Sequence, residues 1–254
     1  FTSREHEVLT GVVHRIDPKN GNVYMKIASN GDLTEAVMLA GERVKGEVMN
    51  EGDRMKVYVV EVRRSTRGPQ IIVSRTHPGL VKRLFELEVP EIFDGTVEIK
   101  SIAREAGSRT KIAVWSNDPE VDAIGACVGP KGSRVDSVVN ELNGEKIDIV
   151  NYSEDIEKFV AAALAPAEVY SATLLEDGHS CRVIVPDNQL SLAIGKEGKN
   201  ARLAAKLTNC KIDIKPASQM MENGSIKIDM AALDLDGSGE EPAEEQGTAD
   251  ETEE

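Results

Sequence analysis

The chain has 254 residues, a hydrophobic fraction of 40% and a net charge of −14, and its length predicts two or three compact domains. Its apolar runs are too short to span a membrane, and its first residues lack the apolar region of a signal peptide. We therefore expect a cytoplasmic protein with no membrane partner. The three cysteines form no CxxC pair, so neither a disulfide framework nor a zinc site is indicated.

The negative charge is concentrated at the end of the sequence. After Lys215 there are twelve acidic residues and one basic residue, Lys227, so residues 1–215 carry a net charge of only −3. A nucleic-acid ligand would therefore require local basic patches. The end of the chain also loses hydrophobic periodicity, which predicts a disordered acidic tail over residues 217–254.

Residues 1–76 contain five short apolar runs that are separated by turn sequences rich in Gly, Asn and Asp. This pattern predicts a small all-β barrel of the OB-fold type. Arginines cluster around its last hairpin, and an aromatic residue, Tyr24, could meet His14 and Arg15 on one barrel face. The candidate RNA contacts of the barrel are Tyr24, Arg63, Arg64 and Arg67, and Arg75 belongs to the same cluster.

The rest of the chain repeats one unit twice, over residues 77–151 and 152–216. Each copy has the order helix, strand, strand, helix, helix, strand, and each ends on Lys-Ile-Asp-Ile. A GxxG sequence lies between the two central helices of both copies, as Gly129-Pro130-Lys131-Gly132 and Gly195-Lys196-Glu197-Gly198. Two copies in register are typical of α+β type-two KH domains (αββααβ). The joint between them is very short, which predicts a rigid pair.

A GxxG loop can hold a nucleic-acid backbone, because glycine permits a close approach and the following helix offers free N–H groups. Nearby lysines and arginines add positive charge, and apolar residues on the edge strand form a groove for bases. The alternative is a tight turn between helices. Because Pro130 lacks a donor and Glu197 repels phosphate, we expect modest affinity per domain. The candidates are Gly129, Pro130, Lys131, Gly132, Arg134 and Ile147, then Gly195, Lys196, Glu197, Gly198, Lys199, Asn200, Arg202 and Ile212.

Catalytic patterns are not found in the sequence. It contains no GxSxG, Walker or paired-carboxylate arrangement, and its histidines do not have the spacing of a metal site or a general base. We therefore expect a protein that is not an enzyme and that uses no cofactor and no metal.

Several longer runs resemble the NusA family of transcription termination/antitermination proteins, and the resemblance covers residues 1–215. The most specific runs are GPQIIVSRTHP (68–78), LFELEVPEI (84–92), VEIK (97–100) with IARE (102–105), GACVG (125–129), GEKID (144–148), and AIGK (193–196) with NARLA (200–204).

The resemblance implies an S-one-type OB barrel and two KH domains that hold nascent single-stranded RNA at RNA polymerase and modulate pausing, termination and antitermination. It implies contact with RNA polymerase mainly through an N-terminal domain that has no counterpart in this sequence. Other antitermination factors are expected partners, and a monomer is expected. The first residue is Phe1 rather than Met, so we interpret the sequence as a piece of a longer protein.

Two other classes of protein combine similar modules. One is the RNA-binding appendage of an exoribonuclease such as polynucleotide phosphorylase, in which one KH domain precedes the barrel, unlike the order predicted here. The other is a ribosome-associated KH protein, for which a strongly basic composition would be expected. The near-neutral body of this chain argues against the second class.

Overall fold

The structure is a computed structural model, and it describes residues 2–29, 31–66 and 68–222. Arg67 and the greater part of the predicted acidic tail, residues 223–254, lie outside the described residues. Within the part that the structure describes, no helix combines the length and the apolar character needed to cross a membrane.

Five strands form a closed barrel at the start of the chain. They are β1 (Val8–Ile16), β2 (Val23–Ser29), β3 (Asp32–Met38), β4 (Arg54–Ser65) and β5 (Gly68–Ser74). Their order is β1-β2-β3-β5-β4, with β4 closing on β1 and with β3 and β5 paired in parallel. Alternate residues of β2 point inward, so Val23, Met25 and Ile27 are fully buried. The predicted OB-fold barrel is confirmed.

The first KH domain follows the barrel directly. Its elements are α1 (Pro78–Glu88), α2 (Pro90–Phe93), β6 (Val97–Glu105), β7 (Arg109–Ser116), α3 (Ala123–Val128), α4 (Ser133–Glu141) and β8 (Lys146–Asn151). Proline occupies the first position of α1 and of α2, where its missing N–H has no partner to lose. In the sheet, β6 and β7 are antiparallel and β7 and β8 are parallel.

The second KH domain repeats this arrangement. Its elements are α5 (Ile156–Ala163), β9 (Ser171–Leu174), β10 (Ser180–Val185), α6 (Leu190–Ile194), α7 (Lys199–Thr208) and β11 (Lys211–Pro216). The sheet again has one antiparallel pair, β9 and β10, and one parallel pair, β10 and β11. The predicted αββααβ order is confirmed in both copies.

A further helix, α8 (Ala217–Glu222), begins directly after β11. The prediction that the disordered tail starts at residue 217 is therefore wrong for these six residues. Residues 217–222 contain no glycine or proline and include strong helix formers, so the local sequence favours a helical turn before the glycine-rich segment.

The two KH domains share one core. The face of the first KH sheet that points away from its own helices packs against α5 and α7, and it places Ala103, Ala113 and Val150 in one cluster with Phe159 and Leu203. The small side chains of Ala103 and Ala113 let the helices of the second domain approach the sheet closely.

A buried lysine lies within this interface between the domains. Lys111 on β7 is fully buried, donates a 2.7 Å hydrogen bond to the carbonyl of Ala165, and lies 3.1 Å from the Asp148 carboxylate. Burial lowers the pKa of the Lys111 ammonium. Ser101 donates a 2.7 Å hydrogen bond to the carbonyl of Leu207 in the second domain. The first and second KH domains are therefore joined by buried polar contacts as well as by apolar packing.

Arg75 joins the barrel to the first KH domain. Its side chain is 1% exposed and forms ion pairs with Glu47 and Glu141. It also donates hydrogen bonds to the carbonyls of Lys56 and Glu141, each at 2.9 Å. The interpretation of Arg75 as part of a surface cluster at a hairpin is therefore wrong, because its partners come from both the barrel and α4.

We predict that Arg75→Ala lowers the free energy of unfolding by about 3–5 kcal/mol, because it leaves the buried Glu47 carboxylate without its partner. The control is Arg63→Ala, since Arg63 is 57% exposed and its loss should change stability by no more than about 0.5 kcal/mol. Denaturant unfolding of both variants measures the difference. Equal effects would show that the buried network does not stabilise the joint.

Candidate nucleic-acid interface

The two GxxG loops have the same backbone conformation. Their first glycines, Gly129 (φ 76°, ψ 174°) and Gly195 (φ 77°, ψ 169°), occupy a region that is essentially restricted to glycine. The third residues, Lys131 (φ 53°, ψ 28°) and Glu197 (φ 56°, ψ 26°), are left-handed although neither is glycine. The closing glycines, Gly132 and Gly198, are left-handed as well.

A close approach explains why the first position of each loop is glycine. A Cβ atom on Gly195 would lie 2.8 Å from both the backbone nitrogen and the Cβ of Asn200. A Cβ atom on Gly129 would lie 2.9 Å from the Cβ of Arg134. In both domains the loop therefore packs directly against the first turn of the helix that follows it.

Arg134 and Asn200 stand at the same place in the repeat, five residues after the first glycine. Arg134 donates hydrogen bonds to the carbonyl of Ala126 at 2.7 Å and to Glu91 at 2.9 Å. Asn200 is 4% exposed, and its amide donates to the carbonyls of Ala193 and Leu164. Both side chains tie the helix after the loop to the helix before it, and their contact with RNA stays a prediction.

Arg202 connects the second loop to the first KH domain. Its Nε donates a 2.6 Å hydrogen bond to Glu105 on β6, and its Nη1 donates to the carbonyl of Glu197 at 3.2 Å. The hydrogen bond from Arg202 lowers the pKa of the Glu105 carboxyl. Sequence reasoning missed Glu105, because its partner is almost a hundred residues away in the chain.

The charged residues of the loops face solvent. Lys131, Lys196 and Glu197 are exposed, while Lys199, the first residue of α7, is partly buried. Among the described residues, the three lysines form no ion pair. Positive charge without a partner beside a glycine loop can bind an anion such as phosphate.

The apolar candidates lie on the strands next to the loops. Ile147 on β8 and Ile212 on β11 are partly buried and pack against the cores of their own domains. In register they pair with Thr110 and Cys181, so they occupy equivalent positions in the two sheets. Each of the two positions leaves part of an isoleucine side chain accessible beside its domain core.

The barrel presents a second, separate group of candidates. Arg15 on β1 lies over the ring of Tyr24 on β2, with its Cζ atom 3.6 Å from the ring centroid, a cation–π contact. Arg63 is exposed and paired with Glu61, and Arg64 is exposed nearby. Arg67 lies outside the described residues.

The cysteine side chains are buried among apolar neighbours. Burial raises the pKa of the Cys127 thiol to about 12 and that of Cys181 to about 11, so both are protonated at neutral pH. Across the described ranges there is no group of three or more His, Cys, Asp or Glu side chains that could hold a metal ion.

Comparison with known families matches both KH regions. A model described as the NusA-like first KH domain matches residues 75–152, and one described as the NusA-like second KH domain matches residues 156–222. Together the two models span more than half of the chain. The chain belongs to the NusA family.

Curated relatives extend the match to the barrel region of this chain. The chain is 53% identical over its whole length to the transcription termination/antitermination protein NusA of Halalkalibacterium halodurans, of which it covers 63%. It is 55% identical to the NusA of Bacillus subtilis over 88% of this chain and 59% of that protein. It is also 53% identical to the NusA of Mycobacterium tuberculosis over 85% of this chain and 63% of that protein. The chain thus spans about three fifths of the length of these relatives.

We predict that Gly195→Ala lowers the free energy of unfolding by about 3 kcal/mol, because alanine disfavours this backbone region and its Cβ would meet Asn200. The matched control is Gly178→Ala in the turn between β9 and β10. Gly178 also has a positive φ, of 69°, but has open space around it, so only about 1 kcal/mol should be lost. Thermal unfolding compares the two, and equal losses would show that the close approach to Asn200 is unimportant.

Proposed function

We propose that this chain is the RNA-binding part of a transcription factor, and that it holds nascent single-stranded RNA and modulates pausing, termination and antitermination. The observation that carries the proposal is the pair of GxxG loops, which share one backbone conformation and are fixed to each other through a shared core. The NusA relatives are named as termination and antitermination proteins, which supports the same function.

The loops bind phosphate in this proposal. Their glycines leave the backbone open to close approach, and the positive ends of α4 and α7 lie directly after them. Lys131, Lys196 and Lys199 add the charge that neutralises the backbone. Because the lysines contact phosphate in this proposal, the loops would position RNA rather than specify its sequence.

Single-stranded RNA fits this surface better than a duplex. The partly exposed Ile147 and Ile212 offer apolar surface to bases that are not stacked in a helix. The Arg15–Tyr24 pair on the barrel could stack another base. Each contact is weak alone, and affinity would come from a strand that engages several of them together.

Further parts of the proposal follow from membership of the NusA family. The chain would act in the cytoplasm next to RNA polymerase, which it would contact mainly through parts of the protein outside this sequence, and alongside other antitermination factors. It would act as a monomer, by binding and not by catalysis. The raised pKa values of the buried thiols support the absence of thiol chemistry.

We predict that Lys131→Asp and Lys196→Asp each weaken the binding of labelled single-stranded RNA, and that the double variant abolishes it. The measurement is fluorescence anisotropy across a salt series, in which the slope of log affinity against log salt should fall by about 0.7 for each phosphate that is no longer neutralised. Lys82→Asp is the control, because Lys82 is an exposed lysine of α1, away from both loops in sequence.

Unchanged binding by the double variant, with the same thermal stability as the parent chain, would contradict the proposal. The loops would then be structural turns, and the exposed barrel residues Arg63 and Arg64 would become the leading candidates.

A further inference from the structure

A cavity lies between the two KH domains, next to the second GxxG loop. Its volume is about 300 Å³, and its charged lining residues are Arg109 and Lys146 from the first domain and Lys196 and Lys199 from the second. Among the described residues that line it, none is acidic. Arg109 and Lys146 begin β7 and β8 and are direct partners in the parallel pairing. The two strands therefore bring their positive side chains to one side of the cavity.

The positive charge of this cavity is only partly compensated. Arg109 lies 3.2 Å from the Asp148 carboxylate. In the part of the chain that the structure describes, Lys146, Lys196 and Lys199 form no ion pair. Lysines that converge without a counter-charge repel one another, and an anion placed between them removes that repulsion.

The second loop differs from the first in the charge of its left-handed residue. This position holds Lys131 in the first loop and Glu197 in the second, and both residues are exposed. A phosphate held over the turn of the second loop would meet a carboxylate at the position where the first loop offers an ammonium. The lysines of the second loop, Lys196 and Lys199, instead line the cavity.

We propose that this cavity holds a backbone phosphate of the bound RNA, and that the first KH domain supplies half of the positive residues for a site that the second loop cannot complete alone. The inference rests on the proposed function, because it specifies where RNA lies on the same surface. The two GxxG loops would then hold RNA differently: the first over its own turn, and the second beside its turn, in the cleft between the domains.

The walls of the cavity are held in place before RNA binds. The ion pair between Arg202 and Glu105 ties the second loop to β6. The hydrogen bond from Lys111 to Ala165 fixes the segment that leads into Pro166, which lines the cavity. A preorganised site loses less entropy when it binds its ligand.

The test compares Lys146→Gln with two controls in the full chain, using labelled single-stranded RNA long enough to span both domains. Lys82→Gln removes the same charge from α1. Lys211→Gln changes the lysine that opens the same Lys-Ile-Asp-Ile motif in the second domain, and Lys211 does not line the cavity. We expect Lys146→Gln to weaken binding about tenfold and to reduce the salt slope by about 0.7. The two controls should leave both values unchanged.

Double variants test whether the two domains share one phosphate. If Lys146 and Lys196 contact the same phosphate, the double variant Lys146→Gln/Lys196→Gln should lose RNA affinity by a smaller factor than the product of the two single-variant factors.

Normal RNA binding by Lys146→Gln, together with weakened binding by Lys131→Asp, would overturn the cavity site and leave the proposed function intact. Equal losses of RNA affinity for Lys146→Gln and Lys211→Gln would also overturn it, because they would indicate a role shared by the lysines that begin β8 and β11. If no loop or cavity variant affects RNA binding, the proposed function fails as well.

Discussion

The buried contact between the back of the first KH sheet and helices α5 and α7 fixes the positions of the two GxxG loops relative to each other. Two alanines, Ala103 and Ala113, let the second domain approach closely, and Lys111 places a fully buried charge beside them. Burying an ammonium is costly unless it is paired and hydrogen-bonded. The Asp148 carboxylate and the Ala165 carbonyl meet that need. Rotation of one domain against the other would break the hydrogen bond from Lys111 to Ala165 and uncover the lysine, so one relative orientation is strongly favoured.

With the orientation fixed, two loops of identical backbone can act on one RNA strand. The loop geometry depends on glycine at the first position, and on Arg134 in one domain and Asn200 in the other to tie the flanking helices together. The Arg134 and Asn200 side chains differ in chemistry, but each donates a hydrogen bond to the carbonyl of an alanine in the preceding helix. The two loops therefore share one conformation, although the left-handed residue is Lys131 in the first and Glu197 in the second.

Much of the fold could be predicted from local sequence. Alternating apolar runs predict the barrel strands, and the repeated order of elements with GxxG predicts both KH domains, because these patterns depend on neighbours in the chain. The contacts that long charged side chains make with residues distant in the sequence could not be predicted this way. Arg75 resembles a solvated residue near a hairpin until its partners Glu47 and Glu141 are known. The positive cavity combines Arg109 and Lys146 with Lys196 and Lys199, a combination that only the packing of the two domains reveals.

If the two KH domains bind a single RNA strand along one continuous surface, ethylation interference on end-labelled RNA will reveal it. In this measurement each backbone phosphate is neutralised in turn, and the RNA that still binds is separated from the RNA that does not. We expect one continuous run of phosphates at which ethylation prevents binding, because the loops and the cleft between them are held rigidly. Two separate runs, with a stretch of insensitive phosphates between them, would contradict it, because they would indicate domains that bind RNA independently.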